Sequence, residues 1–376
     1  MQTFELKVLT LDESGTWKRL IESTGERDVY FLPSYFKIWE KNYKWKAYMV
    51  FYGNGRNFVI YPFFKKIIKL PFLEDEPQAY DIISPEFFCG PLIKSDDNLK
   101  ADLSDGFLRE FHAWCLKNNI VTEFARLHPF IKNDLIFPPE TVVKLYNIVW
   151  LDLTADYDVI WKNFEKSCRN AIVKAKKEKV EVIVSDKKSD IDDFYSLYIN
   201  SMKRLNASEK YFHTKEFFED FFKIMKDNVS LFLAKYEGKT IAAALFIHAF
   251  GFFHYFRACS DREFSHKNPN NMILFEAINW AKKMGYKVFT FGGAGPGHGN
   301  DLNDNLFRFK ASFSKSFITV TGRKEIHNNN LYKLFCEKKE KYLLQMGIND
   351  NAFSYFPEYQ IKHFPEYRIK YKKLPD

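Results

Sequence analysis

The segment from Ser230 to Phe313 limits the fold of this chain more than any other. Residues 230–237 are apolar and strand-like, Gly238 turns the chain, residues 240–250 are almost wholly apolar, Gly251 turns it again, and residues 252–260 are rich in aromatics. Three strands in a row with short glycine turns predict a meander. Asn268-Pro269-Asn270-Asn271 then opens a helix that carries Met272, Phe275, Ala277, Ile278, Trp280 and Met284 and stops at Gly285, with proline at its start and glycine past its end. Residues 287–291 form a short buried strand, followed by Gly292, Gly293, Gly295, Gly297 and Gly299, and then by Phe307-Arg308-Phe309-Lys310. This order sets a helix N-terminus beside the ends of central strands, where backbone N–H groups hold an anionic or carbonyl-bearing ligand.

A chain of 376 residues is too long for one ordinary core, so two domains are expected. Its 46% hydrophobic and 18% aromatic content argues for packed interiors and against disorder. Cys89, Cys115, Cys168, Cys259 and Cys336 are odd in number and never in Cys-x-x-Cys spacing, so neither a disulfide framework nor a zinc site is suggested. A reducing, cytoplasmic setting is the expectation. The N-terminus lacks a basic segment followed by an apolar core, and no apolar run reaches the length needed to cross a bilayer. A net charge of +8 favours anionic partners such as nucleotides, lipid head groups or RNA without choosing among them; DNA is not expected.

Residues 3–9 read as a strand and 17–23 as a helix, and Ser34 as the cap of a helix over 35–43. A hairpin over 47–52 and 57–61 turns at Gly53-Asn54-Gly55-Arg56, and Pro62 is expected to end the pairing. Residues 81–91 read as loop, 103–118 as a helix and 120–127 as a strand. The expected boundaries are 1–147 for a first domain, 148–325 for a second, and 326–376 for a helix and an aromatic, basic arm on the body. In the second domain the order is a basic helix over 159–179, a strand over 180–184, helices over 190–202 and 215–226, and the meander. Trp161, Phe164, Cys168, Ile172 and Ala175 share one face of the basic helix, so its lysines are either a solvated face or an anion-binding one. Both halves mix a few helices with mostly antiparallel strands: an α+β chain of two similar units, although no sequence repeat is visible.

An ordered series of motifs resembles the Fem-type peptidoglycan-bridge aminoacyltransferases and their relatives in the GNAT acyltransferase superfamily. It runs Val149-Trp150-Leu151-Asp152-Leu153, Trp161-Lys162-Asn163-Phe164, Arg169 to Ala175, Tyr198 to Arg204, His254-Tyr255, Pro269-Asn270-Asn271, Ala277 to Lys282, Phe291-Gly292-Gly293, and Phe309-Lys310 with Phe313. The stretch from Ser84-Pro85 to Gly90-Pro91-Leu92 is compatible with the same group. The resemblance implies two tandem GNAT-like domains, each a mixed and mostly antiparallel sheet flanked by helices, and transfer of an acyl or aminoacyl group to an amine. It implies Lys310 as the cation at the reacting carbonyl, Tyr255 as a substrate contact, and Arg204 as a phosphate-binding guanidinium on the acceptor. A cation beside a developing oxyanion stabilises the transition state more than the ground state; the bland alternative for Lys310 is an exposed strand lysine.

Strand alternation places His254 with Phe256 on one face and Tyr255 with Arg257 on the other, so a cleft role for Tyr255 brings Arg257 with it. His254 reads either as a core histidine or as a general base for the amine. Arg169, Asn270, Asn271, Gly292, Gly293 and Phe309 complete the candidate substrate-binding set. No permanent cofactor and no metal are expected; the co-substrate is acyl-CoA or aminoacyl-tRNA. The loop over 264–271 contains no glycine, which counts against ordinary CoA binding. The spaced glycines of 293–299 follow a strand without opening a helix, so they fit neither nucleotide fingerprint and read as a lid or tight turn. The expected acceptor is an anionic cell-surface precursor, nucleotide- or lipid-linked. The alternative is a non-catalytic protein that binds RNA or a membrane surface through the basic helix and the aromatic tail.

Overall fold

The computed structural model describes residues 4–25, 27–43, 45–185, 188–294, 302–347 and 356–361. The chain divides into two compact units, one made of the residues up to Lys144 and from Thr321 onward, the other of Leu145–Val320. The first unit opens with β1 (Glu5–Thr10), α1 (Ser14–Ser23), α2 (Pro33–Asn42), β2 (Lys46–Gly53), β3 (Phe58–Ile67), β4 (Tyr80–Ile83), β5 (Leu92–Lys94), α3 (Lys100–Lys117) and β6 (Ile120–Arg126). β7 (Val142–Asp152) leads into the second unit, which continues with α4 (Tyr157–Asn163), α5 (Lys166–Lys177), β8 (Glu181–Ser185), α6 (Lys188–Arg204), α7 (Lys215–Met225), β9 (Val229–Tyr236), β10 (Lys239–Ala249), β11 (Phe252–Ser260), α8 (Pro269–Lys283), β12 (Val288–Gly292) and α9 (Asn305–Ala311). β13 (Ser316–Ile326) leads back, and α10 (Asn329–Gln345) follows.

Within the second unit the strand order is β7-β12-β11-β10-β9-β8, antiparallel throughout except for the parallel pair β11 and β12. In the first unit the order is β1-β2-β3-β4-β6-β13, antiparallel except for the parallel pair β4 and β6. Each unit therefore repeats one plan: a strand, two helices, a three-strand meander, a crossover helix, and a strand parallel to the last meander strand. Parallel neighbours need such a crossover, and α3 and α8 supply it. The duplication is one of backbone, and the α+β expectation holds.

The second core is built on α8, whose Met272, Ile273, Leu274, Ala277, Ile278 and Ala281 are all buried against a sheet face that includes Phe232, Phe246, Phe253 and Phe289. In the first unit the segment 356–361 takes part in a smaller core, with Tyr359 fully buried beside Val121 and Phe335. Its hydroxyl donates to Asp81, which also accepts from Thr122 Oγ1 at 2.6 Å.

The structure corrects several expectations. Pro62 lies inside β3, opposite Met49; pairing with β2 continues to Lys65 and pairing with β4 to Ile67. Its carbonyl accepts from Cys89 Sγ at 2.8 Å, so its backbone faces away from β2, between the stretches where β5 and β4 pair; no ladder bond is lost. Ser34 does not cap α2, which starts at Pro33 after Leu32, with the proline in the first turn where no N–H is needed. Residues 81–91 are not all loop, because β4 ends at Ile83. The basic helix is broken: Phe164 and Glu165 are extended, with ψ of 140° and 153°. Glu165 N donates to Ser312 O at 2.8 Å, a bond that an unbroken helix would forbid. The apolar stripe survives, since Phe164, Cys168, Ile172 and Ala175 are all buried. The spaced glycines at 295, 297 and 299 lie outside the described residues.

Candidate active site

β11 and β12 pair at only three positions, Phe252 with Val288, Phe253 with Phe289 and His254 with Thr290. Among the described residues no pair joins them further on, although β11 continues to Ser260 along β10. Each strand carries an irregularity just where they part. The β10–β11 register shifts between Phe246↔Tyr255 and Leu245↔Arg257, leaving Phe256 extra, and the β7–β12 register shifts around Phe291. Such bulges bend a strand and increase its twist, so two bulged parallel strands diverge. Gly292 closes β12 at a φ of 72°, a conformation suited to glycine.

α9 carries Lys310 to this opening. Asp304 caps the helix, accepting from Leu306 N at 2.8 Å and Phe307 N at 2.9 Å, and Phe307, Lys310 and Ala311 fall on the inward face. The lysine is on a helix and only 8% exposed, not on an exposed strand. Its Nζ donates to Gly293 O at 2.7 Å and lies 5.8 Å from the centre of the Tyr255 ring. A Cβ placed on Gly292 would stand 3.5 Å from that ammonium. Burial pulls the lysine pKa from 10.5 down to about 8; Asp304 opposes the fall and Arg257 adds to it. Burial likewise pushes the Tyr255 hydroxyl above its ordinary range, so it stays protonated.

The structure thus brings together Lys310, Tyr255, Gly292 and Gly293, with Phe309 half-buried on the same helix and edge-on to Phe313 at 5.7 Å. Arg257 does not share the face of Tyr255 as alternation predicted. The bulge at Phe256 breaks the period, and the Arg257 guanidinium stacks over the Phe256 ring at 4.4 Å while donating to Phe256 O at 3.0 Å. His254 is buried, and its Nδ1 lies 2.6 Å from Thr290 Oγ1, linking the two strands at their point of parting. Arg204 and Asn270 gather instead at the far end of β11, where they donate to Ser260 O at 3.4 Å and Ser260 Oγ at 3.2 Å. Asn271 contacts Cys168 Sγ at 3.8 Å. Arg169 turns back on the helix break, donating to the carbonyls of Phe164 and Lys162.

The loop before α8 is held by its own contacts. Lys267 is bonded to Glu178 at 2.9 Å and sits 3.9 Å from the Tyr236 ring centre, and Asp261 caps the short turn that precedes α8. Pro269 in the first turn offers no N–H. Sequence reasoning missed Thr290 and Asp304; the latter was legible as an aspartate just before an apolar helical run. Among the described residues no group of three or more His, Cys, Asp or Glu side chains suits a metal ion, and no helix is long and apolar enough to cross a membrane.

Residues 162–310 match the family model of the acetyltransferase (GNAT) domain. That stretch is an acyltransferase domain of the GNAT type. The matched stretch spans the parting strands and ends on Lys310. Among curated proteins none matches the chain by sequence. Of solved structures, the crystal structure of FemX aligns with a TM-score of 0.66 at 14% identity, over 88% of this chain and 99% of that one. L-PGS from Bacillus licheniformis aligns with a TM-score of 0.53 at 12% identity, over 84% and 92%. The C-terminal domain of a putative lysylphosphatidylglycerol synthetase from Agrobacterium fabrum gives 0.52 at 13% identity, over 89% and 96%. At these identities the likeness is one of fold, and it is the Fem-like, GNAT-like fold that the motif series implied.

Proposed function

We propose that this GNAT-type enzyme transfers an acyl or aminoacyl group to an amine on a cell-surface precursor, an amino sugar, a nucleotide-linked sugar or a peptidoglycan stem peptide. The observation that carries the reading is Lys310, a buried cation at the mouth of the parted strands, held by Gly293 O. The acceptor nitrogen attacks the donor carbonyl carbon, the carbonyl π electrons move to oxygen, and the C–S or C–O bond to the donor then breaks. The proton shed by the amine leaves on the departing sulfur or oxygen. Lys310 Nζ faces the oxyanion and stabilises it more strongly than water would, because the site is desolvated. Tyr255, with its hydroxyl kept neutral, borders the same space.

The donor is acyl-CoA or aminoacyl-tRNA. The glycine-free loop, the proline at the start of α8 and the neutralised Lys267 weigh against a pyrophosphate there. The test is a mass-spectrometric transfer assay in which acetyl-CoA and aminoacylated tRNA are each offered with amino-sugar nucleotides and stem peptides. Transfer that needs Lys310 supports the reading. Full activity of Lys310→Ala would remove the lysine from the mechanism, and salt-sensitive RNA or vesicle binding without any transfer would favour a non-catalytic role.

A further inference from the structure

The shared plan of the two units makes β4 and β6 the counterpart of β11 and β12, yet the two parallel pairs end differently. In the first unit the pair does not open. β4 and β6 pair through Ile83 and Phe124, and the chain beyond β4 then follows β6. Ser84 N donates to Phe124 O at 3.1 Å, Arg126 N donates to Ser84 Oγ at 3.2 Å, and Cys89 N donates to Arg126 O at 2.7 Å. Cys89 also forms a parallel bridge with Leu127.

The segment is fastened on its other sides too. Cys89 Sγ donates to Pro62 O at 2.8 Å, and Asn133 Nδ2 donates to Cys89 O at 2.9 Å. Phe88 and Cys89 are 2% and 0% exposed. Gly90 has a φ of 113°, and a Cβ there would lie 2.4 Å from Asn133 Nδ2. This is the Ser84-Pro85 to Gly90-Pro91 motif, which the proposed chemistry does not use.

We infer that Ser84–Gly90 is a built-in plug that closes, in the first unit, the position corresponding to the β11–β12 opening of the second. The inference rests on the reading of the β11–β12 opening as the donor site. A position filled by backbone hydrogen bonds and buried side chains admits no ligand without local unfolding.

Maleimide labelling of the full chain, mapped by peptide mass spectrometry, tests the plug without any knowledge of the donor. Cys89 in the native protein should label about 100-fold or more slower than a cysteine introduced by Tyr255→Cys, at a rate that follows unfolding across a urea series. The half-buried Cys336 serves as the internal reference in wild type, so the measurement stands even if the variant fails to fold. Asn133→Ala, which removes one fastening, should speed Cys89 labelling. Labelling of Cys89 as fast as Cys336 in folded wild type would overturn the plug. Slow labelling at both Cys89 and Tyr255→Cys, in a variant shown folded by circular dichroism, would leave the plug standing and count against the donor reading of the second unit.

Discussion

Replacing Lys310 by methionine separates the catalytic role proposed for this residue from what it costs the fold. With its pKa lowered from 10.5 to about 8, the folded chain holds the charged lysine about 3 kcal/mol less favourably than the unfolded chain does. Methionine removes that penalty and also the hydrogen bond to Gly293 O, a charged-donor bond that contributes about 1.5–2 kcal/mol. At pH 7 the variant should therefore be more stable than wild type by about 1 kcal/mol. The sign then changes with pH. Between pH 8 and 10.5 the unfolded chain keeps a proton that the folded chain has released, so wild-type stability rises with pH across that window and the penalty disappears. By about pH 10.5 wild type should be the more stable of the two, the gap having moved by roughly 3 kcal/mol. Urea denaturation of both proteins at half-unit pH steps measures the gap, and a gap that stays constant from pH 7 to 10.5 would refute a buried, desolvated ammonium. In the transfer assay the same variant should lose about 10²–10³-fold in kcat, the usual effect of removing one oxyanion donor.

Gly90→Ala should cost about 2 kcal/mol or more, because it adds a clash with Asn133 to an unfavourable φ, whereas Gly55→Ala, with a φ of 87° and nothing within 4 Å, should cost only about 1 kcal/mol in the same denaturation series. Tyr359→Phe removes a buried donor from Asp81 and should lower stability by about 1–2 kcal/mol; a melting temperature equal to wild type would show that the segment around Tyr359 is not seated there in solution. His213 and His248 are held neutral by burial, with pKa values lowered to about 3 and about 4. Their unfolded forms take up protons first, so stability should fall as pH drops from about 6.5 towards 4, approaching two protons per unfolding event. A flat stability profile over that range would contradict both assignments.

The meander, its crossover helix and the strand that follows were legible because each rests on local chemistry: near-continuous apolar and aromatic runs, glycine turns, and proline opening a helix. The break at Phe164 and Glu165 was not. The stripe from Trp161 to Ala175 keeps a helical period through it, and only the bond from Glu165 N to Ser312 O, 147 residues along the chain, shows why the helix stops. Pro62 was misjudged for a related reason, since a missing N–H harms a strand only if a partner needs it, and the partner strands come from elsewhere in the sequence.

The site divides along the same line. The sequence by itself singled out the candidate residues: Lys310 after Phe309, Tyr255 on its strand, Gly292 and Gly293 at a strand end. Only the tertiary structure decided that Lys310 sits on a helix, buried against Gly293 O, and that Arg257 parts from Tyr255 at a bulge. Residue type and period are properties of neighbours along the chain. Burial and register depend on strands and carbonyls brought from far away, and they set the pKa of Lys310 and open one parallel pair while closing the other.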